Sequence, residues 1–164
     1  MSYTYKHLSA AELPLMNGLL AMFGEAFGDR DTYQGAVPSE AYLTSLLEKP
    51  HFIALAALRD GEVVGGLAAY ELQKFERARS EIYVYDLAVR EADRRKGVAT
   101  TLIRTLQRIA KDRGAYVIFV QADTGPGDQP AIRLYESLGA QGTRQGTKQG
   151  TKGEEVLHFD IPVD

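Results

Sequence analysis

Arg94-Arg95-Lys96-Gly97-Val98-Ala99 sets three consecutive cations against a glycine, and an amphipathic run begins there. The start of a helix leaves backbone N–H groups without partners and carries a partial positive charge. Phosphate is the usual ligand of that arrangement. Glycine at 97 permits close approach of an anion to the backbone, and Ala99 keeps the first turn narrow. Taken alone, a solvated basic turn accounts for the same residues. Other chemistries find less support. With no cysteines, disulfides and thiolate metal sites are excluded. His7, His51 and His158 lack the spacing of a ligand set, so strand-packing or surface roles are expected and no metal. Residues 143–153, TRQGTKQGTKG, repeat a Thr-Lys/Arg-Gln-Gly unit. They lack the glycine spacing and terminal Gly-Lys-Ser/Thr of a phosphate-binding loop, and their composition predicts a mobile loop or hairpin tip.

The elements that must position the basic turn follow from pattern. Tyr3–Leu8 alternates and reads as a strand, and Ser9-Ala10-Ala11-Glu12 is a capping box opening a helix that runs to about Phe27. Polar, breaker-rich residues 28–37 read as a loop. Pro38-Ser39-Glu40 opens a second helix, ending near Lys49-Pro50. His51–Arg59 and Glu62–Gln73 read as strands joined by an Asp60-Gly61 hairpin. Ser80–Val89 is aromatic and β-branched, a further strand. After Gly97, apolar residues at Ala99, Leu102, Ile103, Leu106, Ile109 and Ala110 form a stripe of helical period, stopped by Gly114. Tyr116–Gln121 reads as a buried strand, about Gln129 to Leu138 as a helix closed by Gly139, and Glu154–Ile161 as the last strand. The order predicts a mixed sheet with helices on its faces, α/β in class.

The 164 residues, 45% hydrophobic and 25% charged, are enough for one domain, 1–164, with a real core. A net charge of -3 argues against nucleic acid as partner and suits a cationic substrate. No apolar run approaches a membrane span. The first residues lack the order of a signal peptide, so a cytoplasmic location without membrane attachment is expected.

The basic turn now stands after a strand ending Asp86-Leu87-Ala88-Val89, and Ala131-Ile132-Arg133-Leu134-Tyr135-Glu136-Ser137-Leu138-Gly139 follows some thirty residues later. Arg-x-x-Gly-x-Ala with that second motif resembles the GNAT superfamily of acetyl-CoA-dependent N-acetyltransferases, over nearly the whole chain. EIYVYDLAV, RRKGVAT, GAYVIFVQAD and EEVLHFDI together resemble the GNAT-type aminoglycoside 3-N-acetyltransferases.

The resemblance implies a GNAT-like fold: a mostly antiparallel, twisted sheet of six to seven strands, flanked by about four helices, with the cofactor in a cleft between two splayed central strands. It implies acetyl-CoA as cosubstrate, held by Arg94, Arg95, Lys96, Gly97, Val98 and Ala99 at the pyrophosphate and by the main chain of Leu87, Ala88 and Val89 along the pantetheine. It makes Tyr135 the general acid for the CoA thiolate, although helix periodicity alone would pack that residue on the sheet. Family members often carry Asn at the start of that helix, where this chain offers Asp128. Asp86, which interrupts an apolar strand, and Asp123, which ends the next, are candidates for the base or for anchoring a substrate ammonium; Asp86 ranks first. Glu81 reads as an exposed strand-end residue. Asp29, Asp31 and Tyr33 lie in the loop that usually covers the acceptor in GNAT proteins, so an anionic wall for a polyamine sugar is expected there, against a plain solvated loop. The expected reaction is direct acetylation of an aminoglycoside at its 3-amino group. Acetylation of another small amine (a polyamine or an amino acid) and a non-catalytic CoA-binding module are the alternatives. Dimers are common in the superfamily, so a homodimer is a further expectation.

Overall fold

The computed structural model describes residues 2–147 and 155–163. Seven strands form one sheet in the order β1-β2-β3-β4-β5-β7-β6, where β1 is Thr4–His7, β2 Phe52–Arg59, β3 Glu62–Gln73, β4 Ser80–Val89, β5 Ala115–Asp123, β6 Gly142–Thr147 and β7 Glu155–Pro162. Among the described residues five α-helices accompany them: α1 Leu13–Ala26, α2 Arg30–Gln34, α3 Glu40–Glu48, α4 Val98–Arg113 and α5 Gln129–Ser137. Among the pairings with a defined register, β4–β5 is parallel and β1–β2, β2–β3, β5–β7 and β6–β7 are antiparallel. The expected mixed, mostly antiparallel sheet is therefore present. By backbone contacts the chain forms two compact units, residues 1–70 with 85–105 and residues 71–84 with 106–164.

In the first unit, Ser9 and Glu12 make the expected capping box, with Glu12 Oε1 accepting from the Ser9 N–H at 3.0 Å. Asp60 and Gly61 both take positive φ (54° and 79°), the backbone that a two-residue hairpin needs between β2 and β3. Met16, Leu19, Met22 and Phe23 of α1 and Leu43 and Leu47 of α3 share one buried cluster with Phe52, Ala54, Ala56 and Leu58 of β2. Gly66 of β3 is required there, because a Cβ would stand 2.5 Å from the Leu55 carbonyl and also meet Leu19.

Residues 28–37 are not the plain loop that composition suggests. Asp29 caps α2: its carboxylate accepts from the Thr32 N–H at 3.2 Å and from the Thr32 hydroxyl at 2.7 Å. That local bond outweighs the breaker content of the segment and supplies the fifth helix, one more than expected.

In the second unit, Ile118 and Val120 of β5 and Phe159 and Ile161 of β7 are buried. Gly139, at φ 86°, closes α5 as expected. The front of the Thr-Lys/Arg-Gln-Gly repeat is the strand β6 rather than loop, paired to β7 with Thr143 opposite His158. Residues 148–154, which carry the rest of the repeat and the expected hairpin tip, lie outside the described residues. His51 stacks near Tyr70 at 6.4 Å, and His158 stacks on Phe119 at 5.3 Å while bonding Asp160 at 2.7 Å. No group of three metal-ligating side chains occurs among the described residues.

One carboxylate in the first unit has no exposure at all. Asp93 accepts from the Tyr3 hydroxyl at 2.9 Å and from Arg59 Nε at 2.8 Å on Oδ1, and from Arg59 and Arg90 at 3.3 Å on Oδ2. The Arg59 bond, helped by Tyr3 and Arg90, outweighs desolvation and lowers its pKa from 3.8 to about 2. Asp93→Asn keeps the shape but leaves Arg59 without its carboxylate and Arg90 with Glu62 alone. Urea unfolding should show a loss of about 2 kcal/mol. Because the folded pKa lies below the unfolded one, the charge contribution is complete above about pH 4 and is lost as pH falls through about 2. Unfolding curves of Asp93→Asn should lack that acid segment.

Candidate active site

The basic turn is built as an anion-binding backbone. After β4 the chain makes a short 3-10 turn, Glu91–Asp93, and Arg94 is extended (φ −74°, ψ 159°). Arg95 then takes φ 62° and Gly97 φ 79°, and α4 begins at Val98. A non-glycine residue at positive φ is strained by about 1 kcal/mol or more and concentrates at functional turns. Alternation of handedness along successive residues turns backbone N–H groups toward one concavity, the form that holds phosphate. Nothing lies within 4 Å of where a Gly97 Cβ would stand. Arg94, Arg95, Lys96 and Gly97 are exposed, whereas Val98 is buried and Ala99 half-buried. Arg94 Nε donates to the Val89 carbonyl at 2.9 Å, and Lys96 Nζ to the Ala92 carbonyl at 3.4 Å, so both cations are tethered beside the turn. The residues present therefore fit a pyrophosphate.

Leu87 and Ala88 are half-buried and Val89 is buried at the end of β4. Gly65 of β3 permits the chain to pass close: a Cβ there would sit 3.2 Å from both the Ala88 carbonyl and Val98.

Asp86 is half-buried and accepts a hydrogen bond from the Tyr33 hydroxyl at 2.9 Å on Oδ2. Burial raises its pKa, and the Tyr33 bond partly opposes that rise. Two residues singled out separately in the sequence, one as base and one as acceptor wall, are thus in direct contact. Tyr33 is held by Phe23 and Phe27, each with its ring centroid 5.8 Å away. Tyr70 stands edge-on to Tyr85 at 5.9 Å, and Tyr85 is 62% exposed. Burial raises the Tyr70 phenol, with Tyr85, Tyr42 and Asp86 adding to the rise. The sequence reading missed Tyr42, Tyr70 and Tyr85. Their one available signal was the density of tyrosine around an isolated strand carboxylate.

Asp29 and Asp31 are exposed, and Asp29 is occupied in capping α2. An open surface hollow is lined by Gly24, Glu25, Gly28, Asp29, Arg30 and Asp31. It is acidic but shallow, and Asp86 is not among its walls, so the Tyr33–Asp86 contact is the better guide to the acceptor position.

In the second unit, Tyr135 of α5 is buried, its ring centroid 5.2 Å from that of Phe159. Burial first, and the Asp128 charge second, push its pKa up to about 12. Asp123 ends β5 opposite Val156 of β7 and is half-buried. Glu81 is more engaged than expected, accepting from the Tyr116 hydroxyl at 3.2 Å and pairing with Lys74 at 3.7 Å.

The chain belongs to the acetyltransferase (GNAT) family, whose model matches residues 16–140. It is similar to the crystal structure of an aminoglycoside acetyltransferase from an uncultured soil metagenomic sample, at 60% identity and TM-score 0.84, over 86% of this chain and 93% of that one. A second metagenomic aminoglycoside acetyltransferase, solved in complex with sisomicin, is 27% identical at TM-score 0.74, covering 82% of this chain and 86% of that one. The L-methionine sulfoximine/L-methionine sulfone acetyltransferase of Pseudomonas aeruginosa is 25% identical over 85% of this chain and 80% of its own length. The chain spans 44% of the length of rat N-acetyltransferase family 8 member 2, which it also matches.

Gly97→Val places a branched side chain in the open space before the turn and adds strain at positive φ. Calorimetry should show acetyl-CoA affinity at least tenfold weaker with the fold retained by circular dichroism. Gly97→Ala carries most of the strain with less bulk and should lose much less.

Proposed function

We propose that the protein transfers the acetyl group of acetyl-CoA to the 3-amino group of an aminoglycoside's central ring, as an aminoglycoside 3-N-acetyltransferase. The observation that carries this reading is Asp86, a half-buried carboxylate with a raised pKa, bonded to Tyr33 and close to Tyr70, which in turn meets the exposed Tyr85. A carboxylate and exposed π faces suit an ammonium group on a sugar. The 60% identity to an aminoglycoside acetyltransferase supports the same substrate class. The family match runs through both compact units, which supports reading 1–164 as one acetyltransferase domain.

Acetyl-CoA supplies an activated thioester. Arg94 to Ala99 hold its pyrophosphate chiefly by backbone N–H groups, and Leu87, Ala88 and Val89 offer main-chain partners to the pantetheine arm. Asp86 accepts a proton from the substrate ammonium and so frees the nitrogen lone pair for attack. Asp123, half-buried at the end of β5, is the second candidate for that proton or for anchoring a neighbouring ammonium. Tyr135 is the proposed partner of the sulfur. An ordinary thiol has a pKa near 8.5, so complete proton transfer from a phenol near 12 to the departing thiolate is uphill. Its hydroxyl therefore stays protonated through the working range and stabilises developing charge on sulfur as a hydrogen-bond donor. The second nitrogen proton, released as the amide forms, leaves on the thiol or to solvent. Asp29, Asp31 and Tyr33 flank the acceptor side. Acetylation removes an ammonium from a ligand whose RNA binding depends on charge, and antibiotic resistance is the consequence.

The sulfoximine/sulfone acetyltransferase similarity favours one second reading, an amino-acid-like acceptor. Thiol release from acetyl-CoA with a panel of aminoglycosides, polyamines and amino acids separates the two and also detects a non-catalytic module, which releases none. Aminoglycosides should give the highest kcat/KM. In the same assay Tyr135→Phe should lower kcat by about 10²-fold or more with acetyl-CoA binding unchanged. The base must be ionised to act, so wild-type activity should fall as pH drops through the raised Asp86 pKa. Asp86→Asn should lose that acid limb along with most of kcat.

A further inference from the structure

Asp86 receives one hydrogen bond from the described residues, and it comes from another element. Tyr33 lies on α2, a five-residue helix held by its own cap at Asp29. The helix approaches α1 at a glycine: a Cβ on Gly24 would stand 3.4 Å from Tyr33 Cβ and 3.5 Å from Arg30 Cα. Phe23 and Phe27 close on the Tyr33 ring from α1. The ring is therefore fixed by packing on one side, while its hydroxyl spans to β4. We propose that Tyr33 is a positioning residue, whose hydroxyl grips Oδ2 of Asp86 and leaves Oδ1 to receive the proton of the acceptor amine.

This goes beyond an acceptor wall and rests on the reading of Asp86 as the base. Two properties suit Tyr33 to the task. A phenol beside a carboxylate resists ionisation, and burial together with Asp86 raises the Tyr33 pKa, so the hydroxyl remains a donor at every working pH. The bond also favours the ionised carboxylate against the desolvation that opposes it. The hydroxyl thus orients the base and keeps it charged. The titratable groups facing Asp86 are Tyr33 from α2 and Tyr70 from β3, and Tyr85 stands beside both of them. Asp29 and Tyr42 act at one remove, through Tyr33 and Tyr70. The Tyr33 and Tyr70 phenols have raised pKa values and stay neutral, so neither competes with Asp86 for the charge.

Tyr33→Phe keeps the ring among Phe23 and Phe27 and removes only the hydroxyl. Two measurements on the full chain test the proposal. The first is the carboxyl ¹³C titration of Asp86 by NMR, in wild type and Tyr33→Phe, with the assignment fixed by Asp86→Asn. The second is the pH profile of kcat/KM for an aminoglycoside. The titration midpoint should rise in Tyr33→Phe, and the acid limb of kcat/KM should move up with it. At the acid end kcat/KM should be about tenfold below wild type. At high pH most of that loss should recover, and acetyl-CoA KM should be unchanged throughout. An unchanged midpoint overturns the proposal and leaves Tyr33 as packing, whatever Asp86 does. A raised midpoint with an unmoved acid limb overturns the reading of Asp86 as base, and the positioning role with it. A uniform fall at all pH values through KM for the aminoglycoside alone also overturns it, by making Tyr33 a substrate contact.

Discussion

A carboxylate that sees no solvent sets the conditions for the rest of the first unit. Asp93 joins Tyr3 at the start of the chain, Arg59 at the end of β2 and Arg90 just after β4. Buried and paired to two guanidinium groups, it cannot leave its place without stranding Arg59, while Arg90 keeps Glu62. The residue after it is Arg94, whose Nε returns to the Val89 carbonyl. The basic turn is thus pinned at its start before any ligand arrives, which helps hold Arg95 at positive φ. A turn preorganised in this way has little left to order when phosphate binds.

The same strand that ends at this turn presents Asp86 only a few residues earlier. Its environment is of the opposite kind. Asp93 is held fully ionised by cations, whereas Asp86 is raised by burial and has a phenol, not a cation, as its partner. The first is a structural charge that does not titrate near neutrality. The second is poised to exchange a proton, and no arginine competes with an incoming ammonium for it among its described contacts. In the second unit, Tyr135 is kept neutral by burial and by Asp128. In the proposed reaction the three groups divide the work by environment: one fixes shape, one moves a proton, and one stabilises charge on sulfur.

Much of this was legible in the sequence. Periodicity placed α4, the capping box placed the 3-10 turn Ala10–Glu12 that leads into α1, and Asp60-Gly61 placed the β2–β3 hairpin, because each depends on neighbouring residues alone. The motif pair at Arg94 and Tyr135 carried the family. Composition misread α2, since Asp29 and Thr32 decide that helix by a side-chain bond that a count of breakers does not register. It also read the front of the 143–153 repeat as loop, because β6 gains its structure from pairing with β7 rather than from its own residues. Asp93 was invisible for a similar reason: it is one acid in a charged stretch, and its three partners stand 3, 34 and 90 residues away. The bond between Tyr33 and Asp86, 53 residues apart, is of the same kind. Local signals named both residues and left their contact to the fold.

The central claim is that this chain places acetyl on one amine of an aminoglycoside. Incubating it with acetyl-CoA and sisomicin, then mapping the product by two-dimensional NMR, tests that claim most directly. The account predicts a single acetyl group, located on the 3-amino nitrogen of the central ring. Sisomicin recovered unmodified under conditions where methionine sulfone is acetylated would contradict it.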